Sequence, residues 1–236
     1  MMQTPDFYRA FDPSAEFRGV VGTFRCVTRQ IGLLAVPSGR VVAGDPLTDL
    51  SPIPFAMMVP RGEHPVLVAI ARLRRPEGVD ERIACAMVRF SDAAPERWVI
   101  ATTPEQDRAE LEEGEIFGYG VDSGIGCFAS VEAAVALQRR MEADETYADF
   151  IIEEAEKVYV STRDWASVVP EPGGMANVVL FSSGMGDGFY ASYWGLDDAG
   201  TPVCLVTDFQ VVDPAPEGAP GIVDRLIATL RRWGGT

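Results

Sequence analysis

The sequence predicts an α+β fold, a mostly antiparallel β sheet or sandwich with helices packed on one side. Three observations predict it. Strand-like segments come in runs, helical spacing is confined to a block at about 130–160 and to the last turns of the chain, and the order lacks a βαβα rhythm. A doubly wound parallel sheet needs that rhythm. With 236 residues, one domain is expected, because large mostly-β units reach this length without splitting. Its parts are an N-terminal arm (1–20), a β-rich core (22–210) and a C-terminal helix (219–233).

Gly22 to Ala43 alternates β-formers with glycine breaks and reads as two or three strands, with Pro37-Ser38-Gly39 as the turn joining the last two. The proline-studded LTDLSPIPFAMMVPRGEHP cannot donate regularly to a ladder and is expected as a long surface connection or edge. HPVLVAIARL, ERIACAMVRF and RWVIATT follow as strands, and the turn chemistry between them suggests an antiparallel meander. Thr103-Pro104-Glu105-Gln106 has the pattern of a capping box and predicts a short helix. IFGYGVD returns to strand. Ser130 caps VEAAVALQRRMEA, and Tyr147, Phe150, Ile151, Ala155 and Val158 recur at helical spacing in a second helix. NVVLFSS, GFYASYWGL and TPVCLVTDFQVV restore the β pattern, joined by GMGDG and DDAG. The final IVDRLIATLRRW sets Ile222, Leu226, Leu230 and Trp233 on one helical face.

A formal net charge of −15 repels phosphate backbones and anionic lipid alike, so neither nucleic acid nor membrane is an expected partner. The same charge attracts a basic protein. The first residues show no apolar stretch behind a positive one, so no secretory signal is expected. Cys26, Cys85, Cys127 and Cys204 are scattered without a Cys-x-x-Cys pair, which fits free thiols in a reducing cytoplasm. His64 is the single histidine, which excludes multi-histidine metal sites.

Three glycine-rich segments could carry chemistry. In GMGDG, residues 184–188, the glycines suit a hairpin with positive φ, and Asp187 tolerates a left-handed conformation and caps the loop. GYGVDSGIGCFAS reads as a strand-to-helix junction offering Asp122, Ser123 and Cys127 near a helix start. Cys127 has two readings: a small buried hydrophobe, or a nucleophile with His64 as base and an aspartate such as Asp122 to orient it. His64, in Gly-Glu-His-Pro, also reads as an exposed turn residue. PSGRVVAGDP closes on the turn-capping Asp45.

"PSGRVVAGDP", "VDSGIGCF" and "SGMGDGFY…WGLDDAGTPVCLVTDF", in this order from about Gly32 to Phe209, resemble the bacterial family named domain of unknown function 4241. The resemblance carries over no established activity and leaves any cofactor unknown. It singles out Ser38, Asp45, Asp122, Asp187, Tyr190 and Asp208 as candidate ligand-binding residues; the four aspartates could alternatively converge on a hard cation such as Ca²⁺ or Mg²⁺. Two functions follow as expectations. One is a protein-interaction module, immunity-like or accessory, with a basic protein partner. The other is an enzyme or a small-molecule or metal-binding protein whose site lies where the three glycine-rich loops meet.

Overall fold

The computed structural model describes residues 5–212 apart from 20, 21, 77, 113 and 161. The expected C-terminal helix at 219–233 lies outside the described residues. The strands are β1 (Phe17–Gly19), β2 (Gly22–Phe24), β3 (Cys26–Val36), β4 (Val41–Gly44), β5 (Gly62–Arg75), β6 (Gly78–Arg89), β7 (Arg97–Ile100), β8 (Tyr119–Val121), β9 (Ile125–Ser130), β10 (Trp165–Val168), β11 (Val178–Ser182), β12 (Gly188–Leu196) and β13 (Pro202–Asp208). Two helices, α1 (Val131–Ala143) and α2 (Tyr147–Glu156), fall between β9 and β10.

These strands form an antiparallel sandwich. The large sheet runs β3-β5-β6-β13-β12-β7, with β8 also on β12, and the small sheet runs β10-β11-β9-β4. Alternation along each strand decides what each face buries. On β9 and β11, Phe128, Val179 and Phe181 point between the sheets to meet Val66, Val68, Trp194 and Leu205. Burying a ring such as Phe128, fully enclosed, contributes roughly 1.5–3 kcal/mol. Their neighbours Cys127, Ala129, Val178 and Leu180 point outward under Leu137, Tyr147 and Ile151 of the helices. The helices therefore cover one side, as the sequence predicts. The far side of the large sheet is covered by the N-terminal arm, where Phe7 stacks on Tyr193 at 4.1 Å and meets Trp98 edge-on at 5.3 Å.

Ser130 caps α1 as expected, accepting from the Ala133 amide at 3.2 Å. On α2 the buried stripe is Tyr147, Ile151 and Ala155, while Phe150 stands exposed; Val158, expected on the same helix, lies beyond its end and is exposed too. The long connection 45–61 carries no strand, as its prolines predict.

Four local readings are corrected. The segments 37–40 and 183–187 are not hairpins, because β3 and β12 belong to the large sheet and β4 and β11 to the small one. Both are corners between sheets. The segment 118–130 is likewise a corner, from β8 to β9, and α1 starts only after Ser130. The three-strand meander stops at two: β5 pairs with β6, but β13 takes the other edge of β6, and β7 pairs with β12. Thr103-Pro104-Glu105-Gln106 forms a turn, not a helix, although the Gln106 Oε1 does accept from the Thr103 amide at 2.9 Å. The acidic residues that follow it offer no apolar stripe to bury, and tertiary packing is what sustains a short helix.

Candidate functional site

The site grows from an interruption in one edge of the large sheet. Along the same side of β12, β8 pairs with Gly188 to Tyr190 and β7 with Tyr193 to Leu196. β7 ends at Ile100, the Ala101 amide still donates to the Ser192 carbonyl at 2.8 Å, and the chain then makes an excursion before it rejoins the edge at Tyr119. The return is tight at Gly118: a Cβ there would lie 2.3 Å from the Tyr190 carbonyl oxygen. Opposite stands the connection 45–61, which laces the sheets together. The Phe55 amide donates to Val41 of β4 at 3.0 Å, and the Ala56 amide donates to Thr102 of the excursion at 2.8 Å.

Between the connection and the excursion opens a cleft of about 600 Å³, within the range of ligand-binding pockets. Asp49, Glu105 and Asp122 supply carboxylates, Phe55, Tyr119 and Phe189 supply rings, and among the described residues no Lys, Arg or His lines it. At its base Ser192 hydrogen-bonds Thr207 at 2.8 Å, and the Tyr119 hydroxyl reaches inward to Thr207 at 3.5 Å. Burial pushes the Tyr119 phenol well above its ordinary range, only partly offset by that hydrogen bond. The phenol thus stays protonated and neutral.

Asp45 lies behind one wall. It is fully buried, yet its carboxylate accepts from the Leu47, Thr48, Asp122 and Ser123 amides and the Ser123 hydroxyl at 2.8–3.3 Å. Burial raises its pKa, and the bonds from the Leu47, Asp122 and Ser123 amides and the Ser123 hydroxyl outweigh burial and bring it below the usual value. Asp45 therefore ties the turn carrying Thr48 and Asp49 to the corner carrying Asp122. The neighbouring corner joins the same junction, since the Ser183 amide donates to the Gly124 carbonyl at 2.9 Å. The glycine-rich segments do meet here by backbone contacts, with the cleft beside them.

Of the residues singled out from sequence, Asp122 alone lines the cleft. The acceptor sites of Asp45 are filled from within. Ser38 lies in the corner at the other end of β4, its hydroxyl buried without a hydrogen-bond partner among the described residues. The Tyr190 hydroxyl donates to the Gly186 carbonyl at 2.8 Å, as does the Ser183 hydroxyl at the same distance. These two close the GMGDG loop, whereas Asp187 stands exposed at its tip. Asp208, at the end of β13, accepts from the Gln210 amide at 2.9 Å and from the Cys85 thiol at 3.8 Å. Among the described residues no group of three or more His, Cys, Asp and Glu side chains is placed to hold a metal ion.

Cys127 sits within β9, not at a helix start, and burial pushes its thiol far above the ordinary value. His64 is not an exposed turn residue. It lies buried in β5, its Nε2 2.6 Å from the Pro60 carbonyl oxygen and its ring edge-on to Phe90 at 5.1 Å. Its strand partner Leu34 points between the sheets while Cys127 points under the helices, so the small sheet separates the two. Sequence reasoning missed Asp49, Glu105, Tyr119 and Phe189. Their signal was the pair of long irregular segments, 45–61 and 101–118, since irregular connections held by a rigid sheet are where sites concentrate.

Fold and site together define an antiparallel sandwich with an acidic, aromatic-walled cleft at one edge. The model of the family described as "Protein of unknown function (DUF4241)" matches residues 34–207, and the chain belongs to that family. No curated protein and no solved structure matches it.

Proposed function

We propose that the chain is a protein-interaction module, of the immunity-like or accessory kind, that engages a basic partner through the cleft. The observation that carries this reading is the lining: three carboxylates without an accompanying basic side chain. None of Asp49, Glu105 and Asp122 has an ion-pair partner among the described residues. Like charges gathered without a counter-charge repel, and a cationic group inserted among them relieves that repulsion. The net charge of −15 would steer such a partner from a distance and hold off nucleic acid and anionic membranes. Among the described residues no helix is long and apolar enough to cross a membrane. A reducing cytoplasm is the compartment this reading takes, supported by four buried, unpaired thiols.

The test compares the wild-type chain with Asp49→Asn/Glu105→Gln/Asp122→Asn as bait in its native lysate. A basic partner should be retained by the wild type, released as salt rises through about 0.3 M, where screening shortens the reach of surface charge, and lost from the triple variant. Equal retention by both baits defeats the reading. A second reading, a small cationic molecule in the same cleft, is favoured by the cavity volume of about 600 Å³. It predicts a retained low-molecular-weight amine in place of a protein.

A further inference from the structure

We infer that the group the cleft takes is an arginine side chain, its guanidinium plane laid against an aromatic wall and its N–H groups turned to the carboxylates. The inference rests on the reading of the cleft as the docking site for a basic partner, and it names what that partner must present. The unpaired carboxylates call for a cation; the walls call for a particular one. Phe189 is 51% exposed and Ile53 47% exposed, and both face the cleft together with the rings of Phe55 and Tyr119. An ammonium is a compact, strongly hydrated point charge, and an apolar wall does nothing to replace its water. A guanidinium is weakly hydrated on its faces, stacks on rings, and presents a planar fork of donors to carboxylates. A cavity lined by both carboxylates and rings, with Phe189 exposed, therefore discriminates in favour of arginine.

The chain uses this arrangement twice within its own fold. The Arg163 guanidinium lies 5.1 Å from the Trp165 ring centre while its Nε meets Glu81 at 2.7 Å. The Arg140 guanidinium lies 5.0 Å from the Tyr147 ring centre while its Nη2 meets Asp144 at 3.1 Å. In the cleft the ring and the carboxylates are in place and the cation is not supplied by any lining residue. At about 600 Å³ the space exceeds one side chain, so the occupant is a loop that carries the arginine.

The experiment titrates the full-length protein, followed by amide chemical shifts, with three capped pentapeptides that differ only at a central arginine, lysine or citrulline. The arginine peptide should bind about three- to fivefold more tightly than the lysine peptide, the margin that ring stacking supplies at a part-exposed site. Citrulline, with the same shape and no charge, should bind neither detectably nor at the same amides. Phe189→Leu should erase the arginine preference by weakening arginine binding more than lysine binding, and Phe189→Trp should keep or increase it. Unshifted amides elsewhere verify that the exposed Phe189 variants remain folded. Equal affinity for arginine and lysine peptides overturns the arginine inference and leaves the basic-partner reading standing. Binding of neither, or shifts confined to residues outside the cleft, overturns both.

Discussion

Asp45 keeps a buried carboxylate ionised by surrounding it with five donors, more than its roughly four lone-pair sites. What it does follows from where those donors sit. Four of them are backbone amides of two separate loops, so losing the charge frees both walls of the cleft at once. Asp45→Ala should cost about 2–4 kcal/mol in urea unfolding at neutral pH, because several buried donors lose a charged acceptor together. The pH dependence has a definite sign. A carboxyl whose folded pKa lies below its unfolded value, near 3.9, stabilises the fold fully above that value and loses the contribution as pH falls through the lowered folded value. The gap between wild type and variant should therefore be constant from pH 7 down to about 5 and close below about 4. A gap that does not narrow in acid contradicts the charged network. Asp-Pro at a strand end reveals a capping aspartate in sequence; that its second oxygen reaches residues 122 and 123 does not, because nothing local records a partner so distant along the chain.

Among the elements, the corners teach the same lesson at larger scale. A glycine-rich loop between two strands has one local chemistry whether the strands pair with each other or with different sheets, and periodicity reports burial on a face without naming the neighbour. Hence strand existence was legible for β5 to β8 and β11 to β13, along with both helices and the Ser130 cap, whereas β9, inside a segment that reads as a junction, and the split into two sheets were not. The GMGDG corner allows a comparison. Gly184 has φ +58°, and a Cβ there would lie 2.7 Å from the Phe209 Cβ, so Gly184→Ala should cost about 1–3 kcal/mol. Tyr190→Phe removes the hydroxyl that closes the loop on Gly186 and should cost about 1 kcal/mol. Asp187→Asn and Asp187→Ala should each fall within about 0.5 kcal/mol of wild type, as exposed sites do. Chemical denaturation of the four variants checks the order; an Asp187 variant costing as much as Tyr190→Phe would restore the aspartate as the cap.

For the whole molecule, the net charge of −15 has to be accommodated by a sandwich whose ion pairs are mostly exposed, such as Arg25 with Glu16 at 2.8 Å. Exposed pairs contribute little, and compaction of excess charge opposes folding. Raising NaCl from about 10 to 200 mM shortens the Debye length from about 30 Å to under 10 Å and should raise the melting temperature, by about 2–4 °C for each kcal/mol of repulsion relieved. A melting temperature that falls over that range would show ion-pair attraction outweighing self-repulsion. Acidity was visible in composition, but that Asp49, Glu105 and Asp122 line one cleft was not, since they meet there only through the lacing of the connection to the excursion.

That excursion, between β7 and β8, separates two tasks that most edge strands perform together. The register of β12 is set by the strand segments on either side of the gap and by β13 across from them, while one part of the cleft wall, Thr103, Glu105 and Gln106, lies on a span that adds no strand pairing to that register. The frame is thus indifferent to what the span contains, provided it departs after Ala101 and returns at Gly118, where only hydrogen fits beneath Tyr190. That part of the wall is an interchangeable jaw bolted at two points to a fixed body, and it can be redesigned without renegotiating how the body folds.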